Sequence, residues 1–286
     1  MLSREFEFHA PRTLGEALEL IAADDDVTVL AGGMSLMPMM NLGLVKPSKV
    51  LSLNHLGVLD DVSVEDGCLT LGACVRHACV ATDPLVLQHC PSLSAAARVV
   101  GDTQVRNRGT IGGSIAHADP SADYLPVLAA VGASITLTSS IGNRTLSAAE
   151  FFIDVMFTAR EPSELVTAVS VPVQPHGWGA SYERLARVEG SFAIVNAAAL
   201  VSADLSSATV ALGGVGPRPV TLEMASYLHN GVDDAALIAV GDAAYEASEH
   251  ATGDVMSDGE YRRAMARVLA CRALRRAVES TVGRSR

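Results

Sequence analysis

The sequence predicts an α+β fold, and three observations carry that expectation. A capped amphipathic helix near the start gives way to a short apolar strand that runs straight into Gly32-Gly33. A hairpin pattern follows, with Asp66-Gly67 set between two alternating runs. In the last third, strand-like runs precede two amphipathic helices, which reads as a small sheet covered by helices.

In chain order, Thr13-Leu14-Gly15-Glu16 has the spacing of a capping box, and Leu14, Ala17, Leu18 and Ile21 recur at helical intervals until Asp24-Asp25-Asp26 ends the helix. Residues 27–30 are a buried-strand candidate, followed by the glycine pair and an apolar segment ending near Leu44. Residues 49–53 read as another strand, and residues 62–75 as the hairpin. Two helical stretches, 76–89 and 92–100, lead to a polar run, Val105-Arg106-Asn107-Arg108-Gly109. Residues 123–131 look helical and 133–139 extended, and a turn at 141–143 leads to a helix holding Phe151 and Phe152. After a strand at 165–173, the breaker cluster Pro172, Pro175, His176, Gly177 and Gly179 marks the main domain boundary. Strands are expected at 180–187, 193–201 and 208–214, then helices at 233–248 and 259–280.

Composition narrows the function. The 286 residues are 49% hydrophobic and 19% charged, with a net charge of −11. Such a chain lacks the basic footprint that nucleic-acid binding requires. Residues 1–6 contain no apolar leader core, and no stretch approaches about 18 uninterrupted apolar residues. A cytoplasmic protein without a transmembrane segment is expected. The mean hydropathy of +0.29 hints at a buried partner interface. Cys68, Cys74, Cys79, Cys90 and Cys271 are odd in number and lack Cys-x-x-Cys spacing, so no disulfide framework, metal site or iron–sulfur cluster is expected here.

Two glycine-centred segments carry the chemistry: AGGMSLMP at 31–38 and TIGGSIAHADPSAD at 110–123. Each sets a glycine pair beside hydroxyl residues, where backbone N–H groups can approach a diphosphate with no Cβ in the way. In an acidic protein a ring of such donors can hold two phosphate charges without lysines. The hydroxyls of Ser35 and Thr110 can add donors.

With those segments, residues 182–193 and the run Ala211-Leu212-Gly213-Gly214-Val215-Gly216-Pro217-Arg218-Pro219, the chain resembles the FAD-binding medium subunit of the molybdenum hydroxylases, the family of carbon monoxide dehydrogenase and the xanthine dehydrogenases, over nearly its whole length. The resemblance implies a two-lobed FAD-binding domain of the vanillyl-alcohol-oxidase (PCMH) type at 1–174, with lobes at about 1–55 and 56–174. A smaller domain of antiparallel sheet and helices follows at 175–286. It implies that Ala31, Gly32, Gly33, Met34, Ser35 and Leu36 wrap the FAD diphosphate from one lobe, and that Thr110, Ile111, Gly112 and Gly113 close over it from the other. Ser114 and Asp119 complete the cradle. Asp119 is read either as an acceptor from ribose hydroxyls or as a turn-former, and His117 as cofactor packing in preference to acid–base work. Met34 stands where many relatives have His or Gln, and Ser191 where an Asp is usual. Arg184 and Arg187 are read either as a positive charge near the isoalloxazine ring or as solvated strand residues.

The implied role is an electron exit. Substrate is oxidised at the molybdenum cofactor of a large subunit, electrons cross the [2Fe-2S] clusters of a small subunit, and FAD in this chain passes them to an external acceptor, in a dimer of heterotrimers. No catalytic residue is assigned to this chain. The rival readings are a stand-alone flavin oxidase or dehydrogenase of the same fold and a scaffold without flavin.

Overall fold

The computed structural model describes residues 5–283; residues 1–4, part of the segment read above for a leader, and 284–286 lie outside the described residues. The chain opens with β1 (Glu7–His9), α1 (Leu14–Ala23), β2 (Val27–Leu30), α2 (Leu36–Asn41) and β3 (Lys49–Ser52). The strands form a 3-stranded parallel sheet in the order β1-β3-β2. Both halves of the Thr13–Glu16 capping box are made. Ala17, Leu18 and Ile21 of α1 share a core with Leu51, Leu53 and Leu56.

The middle of the chain adds β4 (Val62–Glu65), β5 (Cys68–Gly72), α3 (His77–Thr82), α4 (Pro84–His89), α5 (Pro91–Val99), α6 (Thr103–Arg108), α7 (Ile111–His117) and α8 (Tyr124–Ala130). It continues through β6 (Ser134–Ser139), β7 (Gly142–Ser147), α9 (Ala148–Phe151), β8 (Phe152–Asp154), β9 (Phe157–Thr158) and β10 (Leu165–Pro172). A 5-stranded antiparallel sheet runs β4-β5-β10-β6-β7, and β8 pairs with β9 as a separate hairpin.

The last part comprises β11 (Gly179–Leu185), β12 (Val195–Val201), β13 (Ala208–Gly213), β14 (Val220–Glu223), α10 (Asp234–Ala247) and α11 (Gly259–Gly283). Its 4-stranded sheet is antiparallel in chain order. The fold is thus the expected α+β type, with antiparallel sheets downstream of the first. Strand β12 is buried on both faces, which explains its apolar run. Alternation decides where each side chain goes: Val195, Ala197, Ala199 and Val201 join the core under α10 and α11, while Ala198 joins the core of the middle part. At Gly179 a Cβ would stand 1.9 Å from the Ala277 carbonyl, so α11 seats directly on the start of β11.

Several local expectations are corrected. The stretch 76–89 is two helices, because Asp83 caps α4 by accepting from the N–H groups of Leu85 (2.8 Å) and Val86 (3.3 Å), and Pro84 occupies its first turn. The polar run before Gly109 is helix α6, capped by Asp102. The residues after 141 form strand β7, and Phe152 leaves the helix of Phe151 to open β8. Strands β1, β8 and β9 are too short to leave a periodic signal.

Candidate cofactor site

The first glycine segment follows β2. Gly33 has φ +77, a left-handed conformation open to glycine without strain. Gly32 is fixed by contact instead: a Cβ there would lie 2.2 Å from the Arg108 carbonyl oxygen and 2.6 Å from Gly109 Cα. The turn therefore touches the chain that leads into the second segment. A Cβ on Gly113 would stand 3.6 Å from that of Ala31, so the two segments face each other as the resemblance implies.

Their backbone donors differ. The N–H groups of Gly32, Gly33, Met34 and Ser35 have no hydrogen-bond partner among the described residues. Those of Ile111, Gly112 and Gly113 are committed to Val75 O (3.0 Å), Ala73 O (2.9 Å) and Thr110 Oγ1 (3.1 Å). Ile111 and Gly112 are buried, and a Cβ on Gly112 would meet that of Ala73 at 2.4 Å. Thr110, 2% exposed, spends its hydroxyl capping α7. The first segment thus offers free donors, and the second offers a closely packed wall on which Gly113 and Ser114 are half-exposed. Successive unpaired N–H groups in a glycine turn are the donors an anion-binding nest uses, so the residues present fit a diphosphate. Met34 is 37% exposed and Leu36 half-buried, so both border the turn.

Behind the second segment stand two residues that the sequence did not single out. Arg76 donates from Nη2 to Asn54 Oδ1 (2.9 Å) and from Nη1 to Arg108 O, strapping the end of the first sheet to the end of α6 that Gly32 contacts. His77 donates its N–H to Gly109 O (3.1 Å), and its Nδ1 meets Tyr124 OH at 2.8 Å. Burial, with Arg76 and Arg106 nearby, pushes the His77 imidazole down to about 4, so it is neutral at pH 7. Motif reading had no handle on either residue.

Four other expected residues separate by role. His117, half-buried in the last turn of α7, has no side-chain hydrogen bond among the described residues. Asp119 accepts the Ser121 N–H at 2.8 Å, the turn-forming arrangement. Arg184 is neither solvated nor free: its guanidinium lies 3.6 Å from Asp123 Oδ1 and donates to Val99 O and Ser191 O. Arg187, beyond the end of β11, is exposed.

A cavity of about 610 Å³ is lined in part by Val27, Ala116, Met156, Phe157 and Arg160. Val27 lies on the strand that ends at the free-donor turn, and Ala116 on the helix that begins at the opposing wall. A cleft beside the strand that leads to the first glycine pair and the helix that carries the second suits a cofactor longer than its diphosphate. Arg160 turns Nη1 onto the carbonyls of Glu161, Pro162 and Glu164, stiffening the cavity rim.

Comparison with known proteins agrees with this geometry. Residues 4–174 match the family described as the FAD binding domain in molybdopterin dehydrogenase, and residues 180–277 match the CO dehydrogenase flavoprotein C-terminal domain. The chain belongs to this flavoprotein family. It is 34% identical over 280 residues to the carbon monoxide dehydrogenase medium chain of Hydrogenophaga pseudoflava, covering 96% of this chain and 97% of that one. The structure of that organism's carbon monoxide dehydrogenase lacking the Mo-pyranopterin moiety superposes with a TM-score of 0.92 at 34% identity, over 98% of this chain and 99% of that one. Quinoline 2-oxidoreductase from Pseudomonas putida 86 gives a TM-score of 0.90 at 32% identity, over 98% and 99% of the two chains. This family member is an oxidoreductase subunit of the FAD-binding medium type found in molybdenum hydroxylase complexes. Among its described residues no helix is long and apolar enough to cross a membrane.

Proposed function

We propose that this subunit is the electron exit of a molybdenum hydroxylase, receiving electrons from the [2Fe-2S] clusters of a small subunit that is itself supplied by a large molybdenum-cofactor subunit. FAD, when bound, accepts electrons from one-electron carriers and passes them to an external acceptor. The observation that carries the reading is the set of unpaired N–H groups at Gly32, Gly33, Met34 and Ser35, in a turn whose Ala31 stands against Gly113 and whose Gly32 stands against Gly109. In this reading Ala31 through Leu36 hold the diphosphate by backbone donation, and the cavity beside α7 receives one end of the dinucleotide. Thr110, Ile111 and Gly112 act through the packing of α7, His117 and Asp119 border the cofactor, and Arg187 is the exposed cation nearest in sequence to the loop 188–192. Arg184 acts as an internal strut.

The division into a flavin domain at 1–174 and a C-terminal domain at 175–286, a cytoplasmic location and a dimer of heterotrimers belong to the same proposal. The partners supply the clusters, which is supported by cysteines scattered along the chain without Cys-x-x-Cys spacing, Cys74 in the core and Cys79 exposed. The test is the visible absorption of the chain purified with its companions, before and after acid precipitation. Flavin released as free FAD alongside iron–sulfur absorption is expected; a colourless chain that takes up no added FAD would overturn the assignment.

A further inference from the structure

A seam of buried polar groups joins the C-terminal sheet to the loop 118–123, which leaves the glycine-bearing helix α7. Tyr182 on β11 donates its hydroxyl to Asp123 Oδ1, and Asn196 on β12 donates from Nδ2 to Ala122 O (3.3 Å) and Tyr182 OH (3.2 Å). The Gly214 N–H, just past β13, donates to Pro120 O at 2.9 Å. Arg184 sits beside the same Asp123 carboxylate. Asn196 is 0% exposed and Asp123 5%, so these groups have no recourse to water. Burial pushes the Asp123 carboxyl up, while the Arg184 guanidinium and the Tyr182 hydroxyl oppose that rise. A Cβ on Gly213 would stand 2.2 Å from Asn196 Oδ1, so the sheet closes on the seam without slack.

The seam continues toward the cofactor turn. Tyr124, next to Asp123, meets His77 Nδ1 at 2.8 Å; His77 holds Gly109 O at 3.1 Å; and Gly109 packs against Gly32. At the other end of the loop, Ala118 takes φ +50 to end α7, and its carbonyl accepts the Met156 N–H at 3.1 Å from the cavity hairpin. The loop is therefore gripped by the sheet on one side while it carries α7 on the other.

We propose that Tyr182, supported by Asn196 and Arg184, is a positioning residue for the flavin: the C-terminal sheet sets where Gly113 and Ser114 stand opposite the free-donor turn. The proposal rests on the flavin reading above. Tyr182→Phe removes one donor from a buried carboxylate and leaves the ring's packing in place. The full chain carrying Tyr182→Phe is expected to bind FAD about tenfold more weakly, equivalent to about 1.4 kcal/mol. The phosphorus-31 resonances of its bound FAD move as the cradle shifts. Asn196→Ser moves both readouts in the same direction. Arg276→Ala, which breaks an ion pair to Glu183 on the α11 side of the same strand, lowers thermal stability only.

Unchanged affinity and phosphorus resonances in Tyr182→Phe and Asn196→Ser, with wild type binding FAD, overturn the proposal even if both melt earlier. If Tyr182→Phe does not fold, Asn196→Ser decides on the same criteria. A wild-type chain that gives no FAD binding overturns the flavin reading, and this proposal with it.

Discussion

Replacing Gly32 with alanine places a methyl carbon 2.2 Å from the Arg108 carbonyl oxygen and 2.8 Å from its carbonyl carbon. Non-bonded carbons prefer a separation of about 3.5–4.0 Å, so the two glycine-bearing segments must move apart by about 1 Å. No side chain can yield, because every atom met is backbone. Arg108 O is also the acceptor of Arg76 Nη1, so the strap to Asn54 is disturbed as well. Overpacking of this kind costs about 1–3 kcal/mol, and a backbone clash with a coupled hydrogen bond belongs at the upper end. The FAD-free chain is expected to melt about 5 °C or more below wild type. Its FAD affinity is expected to fall at least tenfold, since the turn that carries the unpaired N–H groups is pushed away from the second segment. Gly15→Ala provides the contrast: it sits in the first turn of α1 with no atom within 4 Å of the added carbon, and should stabilise by about 0.5–1 kcal/mol. Thermal denaturation and FAD titration of both variants provide the assay. A Gly32→Ala chain that melts and binds like wild type would refute the claim that the segments are in contact.

Other outcomes follow from the same geometry. Gly33→Asp and Gly113→Asp are expected to abolish FAD retention, each placing a carboxylate against the diphosphate at a cost of several kcal/mol; normal flavin content in both would remove these segments from the site. His77 is neutral in the fold and titrates near 4 there, below its unfolded value near 6.5. Above pH 6.5 it contributes no pH dependence. As pH falls from 6.5 to about 4 the unfolded chain takes the proton first, so stability falls by about 3 kcal/mol in that window. Denaturant unfolding of His77→Gln across pH 4–7 should lack that part of the slope, and an unchanged slope would mean the buried imidazole is not responsible. Thr110→Val, which removes the α7 cap, should cost about 1 kcal/mol, while Thr110→Ser should cost little, as read by denaturant midpoints.

Much of the order of elements was legible because local signals and tertiary demands agree. The capping box of α1, the apolar strand into Gly32-Gly33 and the Asp66-Gly67 hairpin need only neighbouring residues to be read. The α3–α4 boundary was also local: Asp83-Pro84 is a cap followed by a first-turn proline, and its meaning was masked by the apolar periodicity around it. The division of labour between the glycine segments was out of reach. It depends on which carbonyls pair with Ile111 and Gly112, and those belong to Val75 and Ala73, brought alongside by the fold. Arg184 likewise takes its role from Asp123, far away in sequence, and from the carbonyls of Val99, at the end of α5, and Ser191. Asn196 did leave a sign: one amide in the apolar run 193–201 is a buried polar group in search of partners.

The most direct test of the central claim is an amide proton–nitrogen spectrum of the FAD-free chain, titrated with FAD and separately with riboflavin, which has no diphosphate. The account predicts that the Gly32, Gly33, Met34 and Ser35 amides move downfield with FAD and stay in place with riboflavin. Amides at 32–35 that are indifferent to FAD, in a chain that nonetheless binds it, would contradict the assignment of the diphosphate to this turn.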